Sequence, residues 1–157
     1  MPVLRLTTTI AAPAQRCFDL ARSVDLHTRS TAASGEHIVG GVQRGLMGPG
    51  DQVTWRARHF GVWQELTSRI TIFDPPRRFR DSMVRGAFAR FDHDHIFTAI
   101  ADDRTEMCDV FDFTSPLGPL GRLADALVLT RYMRRFLEQR NRVLKQVAES
   151  DEWRALL

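Results

Sequence analysis

The sequence predicts an α+β fold in which an antiparallel β-meander closes on one long C-terminal helix. Three observations predict it. Between residues 51 and 114, apolar and polar side chains alternate in short segments separated by turn residues, the pattern of strands with one buried face. Later in the chain Leu129, Met133, Phe136, Val143 and Val147 recur at spacings of four, three, seven and four, an apolar stripe at helical period. A helix carrying such a stripe must bury it, and the inner face of the meander is the large partner available.

Each element follows in turn. Val3–Ile10 sets Val3, Leu4, Leu6 and Ile10 against Arg5 and three threonines, a β-branched strand. Ala11-Ala12-Pro13 ends it, and Pro13 suits the first turn of a helix, where no amide donor is needed. Cys17, Phe18, Leu20 and Ala21 give that helix an apolar face. A second short helix spans Val24–Ser30, with Ser23 or Asp25 as its cap. Residues 36–40 read as a strand. Gly40, Gly41, Gly45, Gly48 and Gly50, with Pro49, then form a flexible loop needing unusual backbone angles. No Lys-Ser/Thr follows them, so they do not make a phosphate loop.

The meander comes next. Val53, Trp55 and Ala57 share a face, Gly61 permits a tight reversal, and Val62, Gln64, Leu66, Ser68, Ile70 and Ile72 line the following strand. Asp74-Pro75-Pro76 is a turn, after which Phe79, Asp81 and Met83 alternate with arginines and serine. Gly86 leads into the most informative strand. Phe91, His93, His95 and Phe97 fall on one side of it, with Arg90, Asp92, Asp94 and Ile96 on the other. Ala101-Asp102-Asp103 turns the chain into a strand whose inner face is Met107, Asp109, Phe111 and Phe113. Pro116 to Gly121 interrupts the pattern, and the long helix runs to about Glu149.

The totals exclude several function classes. A chain of 157 residues makes one domain, taken as residues 1–150, with 151–157 as a short tail. No apolar run approaches the roughly 20 residues of a membrane span, and no basic-then-apolar leader precedes Ile10, so the cytoplasm is the expected compartment. Cys17 and Cys108 lack metal-site spacing and read as reduced thiols. Basic residues outnumber acidic ones by 22 to 19, and 21 of the 22 are arginine, with Lys145 the single lysine. They are scattered among acids instead of clustered, so no nucleic-acid partner is expected.

Order and residues together resemble the START-like helix-grip superfamily, in its SRPBCC branch of polyketide cyclase/dehydrase and lipid-transport proteins, and within it a bacterial subgroup. Four stretches carry the resemblance: Ala12-Pro13 leading to Phe18, Gly50-Asp51-Gln52-Val53-Thr54-Trp55, Phe73-Asp74-Pro75-Pro76-Arg77-Arg78-Phe79, and Phe113 on to Gly118. It implies a seven-stranded curved antiparallel sheet wrapped around the C-terminal helix, two short helices after the first strand, and a tunnel between sheet and helix. It carries over no catalytic set. Mapped onto that shape, the ligand-binding candidates are Trp55, Gln64, Leu66, Phe79, Met83, Phe91 and Phe97 from the strands. Met107 and Phe111 join them, with Leu129, Met133 and Phe136 from the helix, and His93 and His95 between the aromatics.

Three readings stay open for the two histidines. They satisfy the core by pairing with Asp81 or Asp109; they hydrogen-bond a ligand; or, with Asp81 and Asp109 as acid–base partners, they catalyse proton transfer, with Trp55, Gln64 or Arg85 to stabilise an enolate. A metal is a further reading: the two imidazoles share one face, and Asp81 or Asp109 could complete a site. A site needs three or four converging ligands, however, and two histidines on one strand are a weak signal, so no metal or other cofactor is assigned. His59 reads as a solvent-facing turn residue, His27 and His37 as ordinary helix and loop positions, and Asp92 and Asp94 as surface partners of arginines on adjacent strands. The leading expectation is a non-catalytic monomer or homodimer that shelters a hydrophobic small molecule: a lipid, quinone, polyketide or aromatic metabolite. The alternatives are a cyclase or dehydratase working in the same tunnel, and an interaction module, for example on the ribosome, using the helix face of Arg134 and Arg135.

Overall fold

The computed structural model describes residues 3–114 and 128–157; the break at 116–121 and the first part of the expected C-terminal helix lie outside them. In chain order the elements are β1 (Val3–Ile10), α1 (Ala14–Ala21), α2 (Val24–Ser30), β2 (His37–Gly41), β3 (Gln52–His59) and β4 (Val62–Asp74). After them come β5 (Arg78–Arg85), β6 (Arg90–Ala101), β7 (Arg104–Thr114) and α3 (Thr130–Ala148). The strands form one seven-stranded sheet in the order β1-β7-β6-β5-β4-β3-β2, antiparallel at every step. This is the meander the alternation predicts, with β1 closing the far edge against β7.

The helical caps follow local chemistry. Pro13 is the N-cap of α1 in an extended conformation. The Ser23 hydroxyl accepts the Leu26 N–H at 3.3 Å and caps α2. Asp25, the other candidate cap, accepts the Gly45 N–H at 2.7 Å instead. Met47 also donates its N–H to the Arg22 carbonyl and accepts from the Arg22 guanidinium. The glycine-rich loop is therefore tied to the helices at several points, unlike the flexible loop expected from its composition. At Gly41, with φ +79°, an added Cβ would lie 2.2 Å from the Gln52 carbonyl oxygen, so only glycine fits there.

One bulge corrects the alternation. Ile70 pairs with Asp81, but Ile72 pairs with Arg80, so Thr71 is the extra residue. Beyond it the faces exchange: Ile72 turns outward with Arg80, and Phe73 turns inward to meet Phe18. The outer face is charged as expected. Asp94 takes both Arg78 and Arg80, at 2.6 and 2.7 Å, and Asp92 pairs with Arg90.

The inner face is filled unevenly. α1 lays Phe18, fully buried, edge-on against Phe73, Phe79 and Phe97 at centroid distances of 5.5, 5.5 and 5.7 Å. Ile10, Met107 and Leu144 complete this dry half. A second cluster of Leu4, Leu6, Phe91, Phe111, Phe113 and Leu137 closes the other end. The side of α3 that is fully buried comprises Leu137, Arg140, Asn141, Leu144, Val147 and Ala148. Leu129, Met133, Phe136 and Val143 flank it, partly buried. The buried face is thus rotated slightly from the predicted stripe. It takes in two polar side chains that the apolar spacing could not register. Arg140, expected in solvent, donates instead to the Ala21 carbonyl at the end of α1, 3.1 Å away.

Candidate functional site

Where α1 stops covering the sheet, a cavity of about 400 Å³ remains between the strands and the N-terminal half of α3. Twelve of the sixteen sequence-predicted site residues line it. Trp55, Gln64 and Leu66 come from β3 and β4; Phe79, Asp81 and Phe91 from β5 and β6; and His93, His95 and Phe111 from β6 and β7. Leu129, Met133 and Phe136 supply the helical wall.

Four predicted residues stand elsewhere. Phe97 and Met107 face each other across β6 and β7, on the stretch of sheet that α1 covers, and belong to the dry core. Met83 packs beside the second cluster, clear of the cavity. Asp109 has no exposed surface and lies behind the histidines, so it acts on the cavity only through them. Arg85, one of the candidate enolate stabilisers, is exposed and outside the lining.

The centre of the wall is a polar cluster built by register. On β5, Asp81 stands opposite His93 and Phe79 opposite His95. On β7, Phe111 stands opposite His93 and Asp109 opposite His95. Antiparallel neighbours share a face, so the two acids flank the two imidazoles diagonally. His93 Nε2 lies 2.9 Å from Asp109 Oδ1, and His95 Nε2 lies 3.0 Å from Asp81 Oδ1. His95 Nδ1 contacts Asp109 Oδ1 at 3.0 Å, and Arg140 Nη1 approaches the same oxygen at 3.6 Å. The other Asp109 oxygen accepts from the Asn141 amide at 2.7 Å. Phe79 stacks on the His95 ring at 4.3 Å.

Charge distributes unequally over these groups. Burial favours a neutral Asp109, but hydrogen bonds from His93 and His95 outweigh it and hold the carboxyl well below the usual range. Burial likewise opposes ionisation of Asp81, yet the bond to His95 and the charge of the histidines keep it below its ordinary value. For His95, burial and the Arg140 charge favour the neutral ring; the Asp109 and Asp81 carboxylates prevail and raise its pKa. His93 is pushed down, first by burial and then by the neighbouring His95 charge. These directions favour ionised Asp81 and Asp109 and place the more basic imidazole at His95, beside the Arg140 guanidinium, and the less basic one at His93. With Nε2–H donated to Asp109, neutral His93 has Nδ1 as an acceptor. Asp81, 20% exposed, is the carboxylate within reach of the cavity. A proton acceptor beside a carboxylate can bind a hydroxyl or take its proton.

Several lining residues escaped sequence reasoning. His27 stacks on Trp55 at 4.2 Å and hydrogen-bonds Glu36 at 2.7 Å. His59, expected to face solvent, lines the cavity and hydrogen-bonds the Tyr132 hydroxyl, joining the β3–β4 hairpin to α3. Its signal was present: the inward alternation Val53, Trp55, Ala57 continues to position 59. Phe60, with φ +50°, makes the hairpin turn together with Gly61 and lies against Tyr132 at 4.6 Å. His37 remains exposed, bonded to the Gly35 carbonyl.

Comparison with known proteins places this geometry. The family model described as polyketide cyclase / dehydrase and lipid transport matches residues 1–149. No curated protein matches the chain in sequence. Among solved structures, a Thermus thermophilus protein superposes with a TM-score of 0.74 at 17% identity, over 92% of this chain and 95% of its own. A START superfamily protein from Mycobacterium smegmatis gives 0.70 at 14%, over 94% and 97%. The Zhui aromatase/cyclase from Streptomyces sp. R1128 gives 0.66 at 15%, over 93% and 95%. At these identities the likeness is one of fold. No helix among the described residues is long and apolar enough to cross a membrane.

Proposed function

The chain belongs to the polyketide cyclase/dehydrase and lipid transport family, and from that premise we propose that it binds one hydrophobic small molecule bearing an oxygen function at one end. A lipid, quinone, polyketide or aromatic metabolite has this character. The observation that carries the reading is the cavity of about 400 Å³, aromatic and aliphatic on most sides, with Asp81, His93 and His95 gathered on one wall. Pockets that hold drug-sized ligands have this size and this economy of polar groups. The apolar body of the ligand lies against Trp55, Leu66, Phe91 and Met133, and its oxygen meets Asp81 or His93. The protein acts in the cytoplasm, as monomer or homodimer, without nucleic acid.

The test is binding of a polarity-sensitive naphthalene dye, with and without a plug. Ala57 lines the cavity and is 4% exposed, so Ala57→Phe fills the space where the ligand would lie. Wild type should bind the dye saturably, and the folded variant should lose at least about tenfold in affinity, since such a loss is only ~1.4 kcal/mol. Equal binding by both proteins, or none by wild type, would overturn the reading.

A second reading, a cyclase or dehydratase, draws support from neutral His93 oriented by Asp109, the arrangement a general base needs. The aromatase/cyclase neighbour adds a precedent of fold only. His93→Gln separates the two. A carrier keeps its ligand with altered affinity, whereas an enzyme loses about 10²–10⁴ in turnover of a polyketide-like substrate.

A further inference from the structure

The geometry points to a divalent transition-metal site formed by Asp81, His93 and His95, open to the cavity and shaped for zinc or ferrous iron. One ligand atom from each residue falls within 4.8 Å of the others. His95 Nε2 and His93 Nδ1 lie 3.0 and 3.9 Å from Asp81 Oδ1. Ligands about 2.0–2.2 Å from a metal stand roughly 3–3.5 Å apart in tetrahedral or octahedral order, so small side-chain movements suffice, with the ion displacing the proton between His95 Nε2 and Asp81. The two-histidine, one-carboxylate set suits borderline ions; magnesium and calcium prefer oxygen alone.

A second observation separates this cluster from a chance meeting of polar side chains. A metal-binding histidine characteristically gives its other ring nitrogen to a carboxylate, which fixes the tautomer and aims the ring. His93 does so here, and His95 turns its other ring nitrogen toward the same carboxylate, at ion-pair distance without hydrogen-bond geometry. Asp109 Oδ1 lies 2.9 Å from His93 Nε2 and 3.0 Å from His95 Nδ1, on the far side of the rings from Asp81. Asn141 holds that carboxylate in turn at 2.7 Å. Phe79 stacked on His95 and Phe111 edge-on to His93 restrict the rings further. The cavity supplies both the entry path and the remaining coordination positions. An ion there would present a Lewis acid to an oxygen-bearing ligand at the polar end of the cavity. The sequence placed two ligands on one strand and offered Asp81 or Asp109 as the third; the register of β5 against β6 selects Asp81.

The test uses the full chain without a polyhistidine tag, stripped by chelator and titrated with cobalt(II) while visible absorption is recorded. The expected result is one equivalent bound per chain with a saturable d–d band, displaced by zinc. Asp81→Asn and His95→Gln should each abolish the band or weaken binding at least about 100-fold, and Asp109→Asn about 10–100-fold, as loss of a supporting carboxylate does. His37→Gln, exposed and away from the cluster, should leave the titration unchanged. Circular dichroism confirms folding; should His95→Gln unfold, Asp81→Asn decides, since Asp81 is partly exposed. No saturable band, or a band that persists in Asp81→Asn, would overturn the site. Dye binding by the stripped protein is measured alongside. Dye bound without cobalt removes the metal and leaves the cavity reading standing, and cobalt bound without dye does the reverse.

Discussion

Asp109→Asn tests whether charge holds the buried polar cluster together. The substitution keeps the shape of the side chain and removes one negative charge from a position with no exposed surface. In the native protein that charge faces His95 at 3.0 Å and Arg140 at 3.6 Å, and accepts from His93 and Asn141. With it gone, Asp81 is the carboxylate left in the cluster for the Arg140 guanidinium and the two histidines. Removing one partner of a buried ion pair costs about 3–5 kcal/mol. The Asn141 amide oxygen has no partner among the described residues, and a flip lets it accept from the new amide, which favours the lower end of that range. A 157-residue domain unfolds with an entropy near 0.33 kcal/mol/K, at about 2.1 cal/mol/K per residue, so the loss appears as a fall in Tm of roughly 9–15 °C. Calorimetry or urea unfolding of metal-free protein reads it, with the urea midpoint falling and the slope unchanged. Asp92→Asn is the control: that carboxylate pairs with Arg90 on the outer face, about a third exposed, where such pairs contribute ~0–1 kcal/mol. If both substitutions cost the same, or Asp109→Asn costs under about 1 kcal/mol, the cluster is held by shape and the charge argument fails.

The other expectations are narrower. Phe18→Ala removes a fully buried ring that meets three others edge-on, and should cost about 3–5 kcal/mol in urea unfolding. Because Phe18 does not line the cavity, dye affinity per folded molecule should stay near wild type. Burial pushes the Cys17 thiol up, while Cys108 is partly exposed, so a thiol reagent should modify Cys108 first and reach Cys17 only on unfolding; equal rates would contradict the packing of α1. Burial holds His59 below the ordinary histidine value, so an opened hairpin takes up a proton more readily than a closed one. The closed arrangement is therefore most stable above about pH 6.5 and weakens as pH falls through that value. Amide exchange of the β3–β4 hairpin, corrected for intrinsic rate, should accelerate there in wild type and stay flat in His59→Gln.

Much of the fold was legible because strand alternation and helix period are local properties of sequence. The inward set Phe91, His93, His95 and Phe97 needed only the pleat of one strand, and all four are buried. What escaped depends on neighbours. Phe97 and Met107 share the inward face with the cavity residues, but alternation says which face a side chain occupies and not what covers it. α1 happens to cover that stretch. The Thr71 bulge reverses the faces of Ile72 and Phe73, and nothing in the local composition announces an extra residue. Arginine ordinarily belongs in solvent; the burial of Arg140 depends on Asp109 and the Ala21 carbonyl, which the fold brings from 31 and 119 residues away. His59 differs in kind, since the alternation reached it and the turn beside it masked the signal.

The polar cluster stands where the two halves of the inner face meet, and this position links stability to binding. On one side α1 and Phe18 fill the sheet; on the other the cavity begins. Arg140 reaches from α3 to the end of α1, and Asn141 from α3 to Asp109 on β7, so the same groups that form the cavity wall set the helix against the sheet. Replacing a buried ionic network with apolar side chains of similar volume is often neutral or stabilising. A protein selected for stability alone would thus gain little from keeping two carboxylates, two histidines and an arginine here. The pairing of these carboxylates with the histidines and Arg140 also constrains the ligand. A neutral oxygen compound enters without disturbing the balance, whereas an anion brings an uncompensated charge into a low-dielectric wall and is held only if His93 takes up a proton. Neutral carbonyl or phenol ligands should therefore bind independently of pH near neutrality, and a carboxylate analogue of equal size should bind more weakly as pH rises. Affinities of such a matched pair, measured across neutral pH, would expose an error in this charge assignment if the carboxylate bound as tightly as its neutral counterpart throughout.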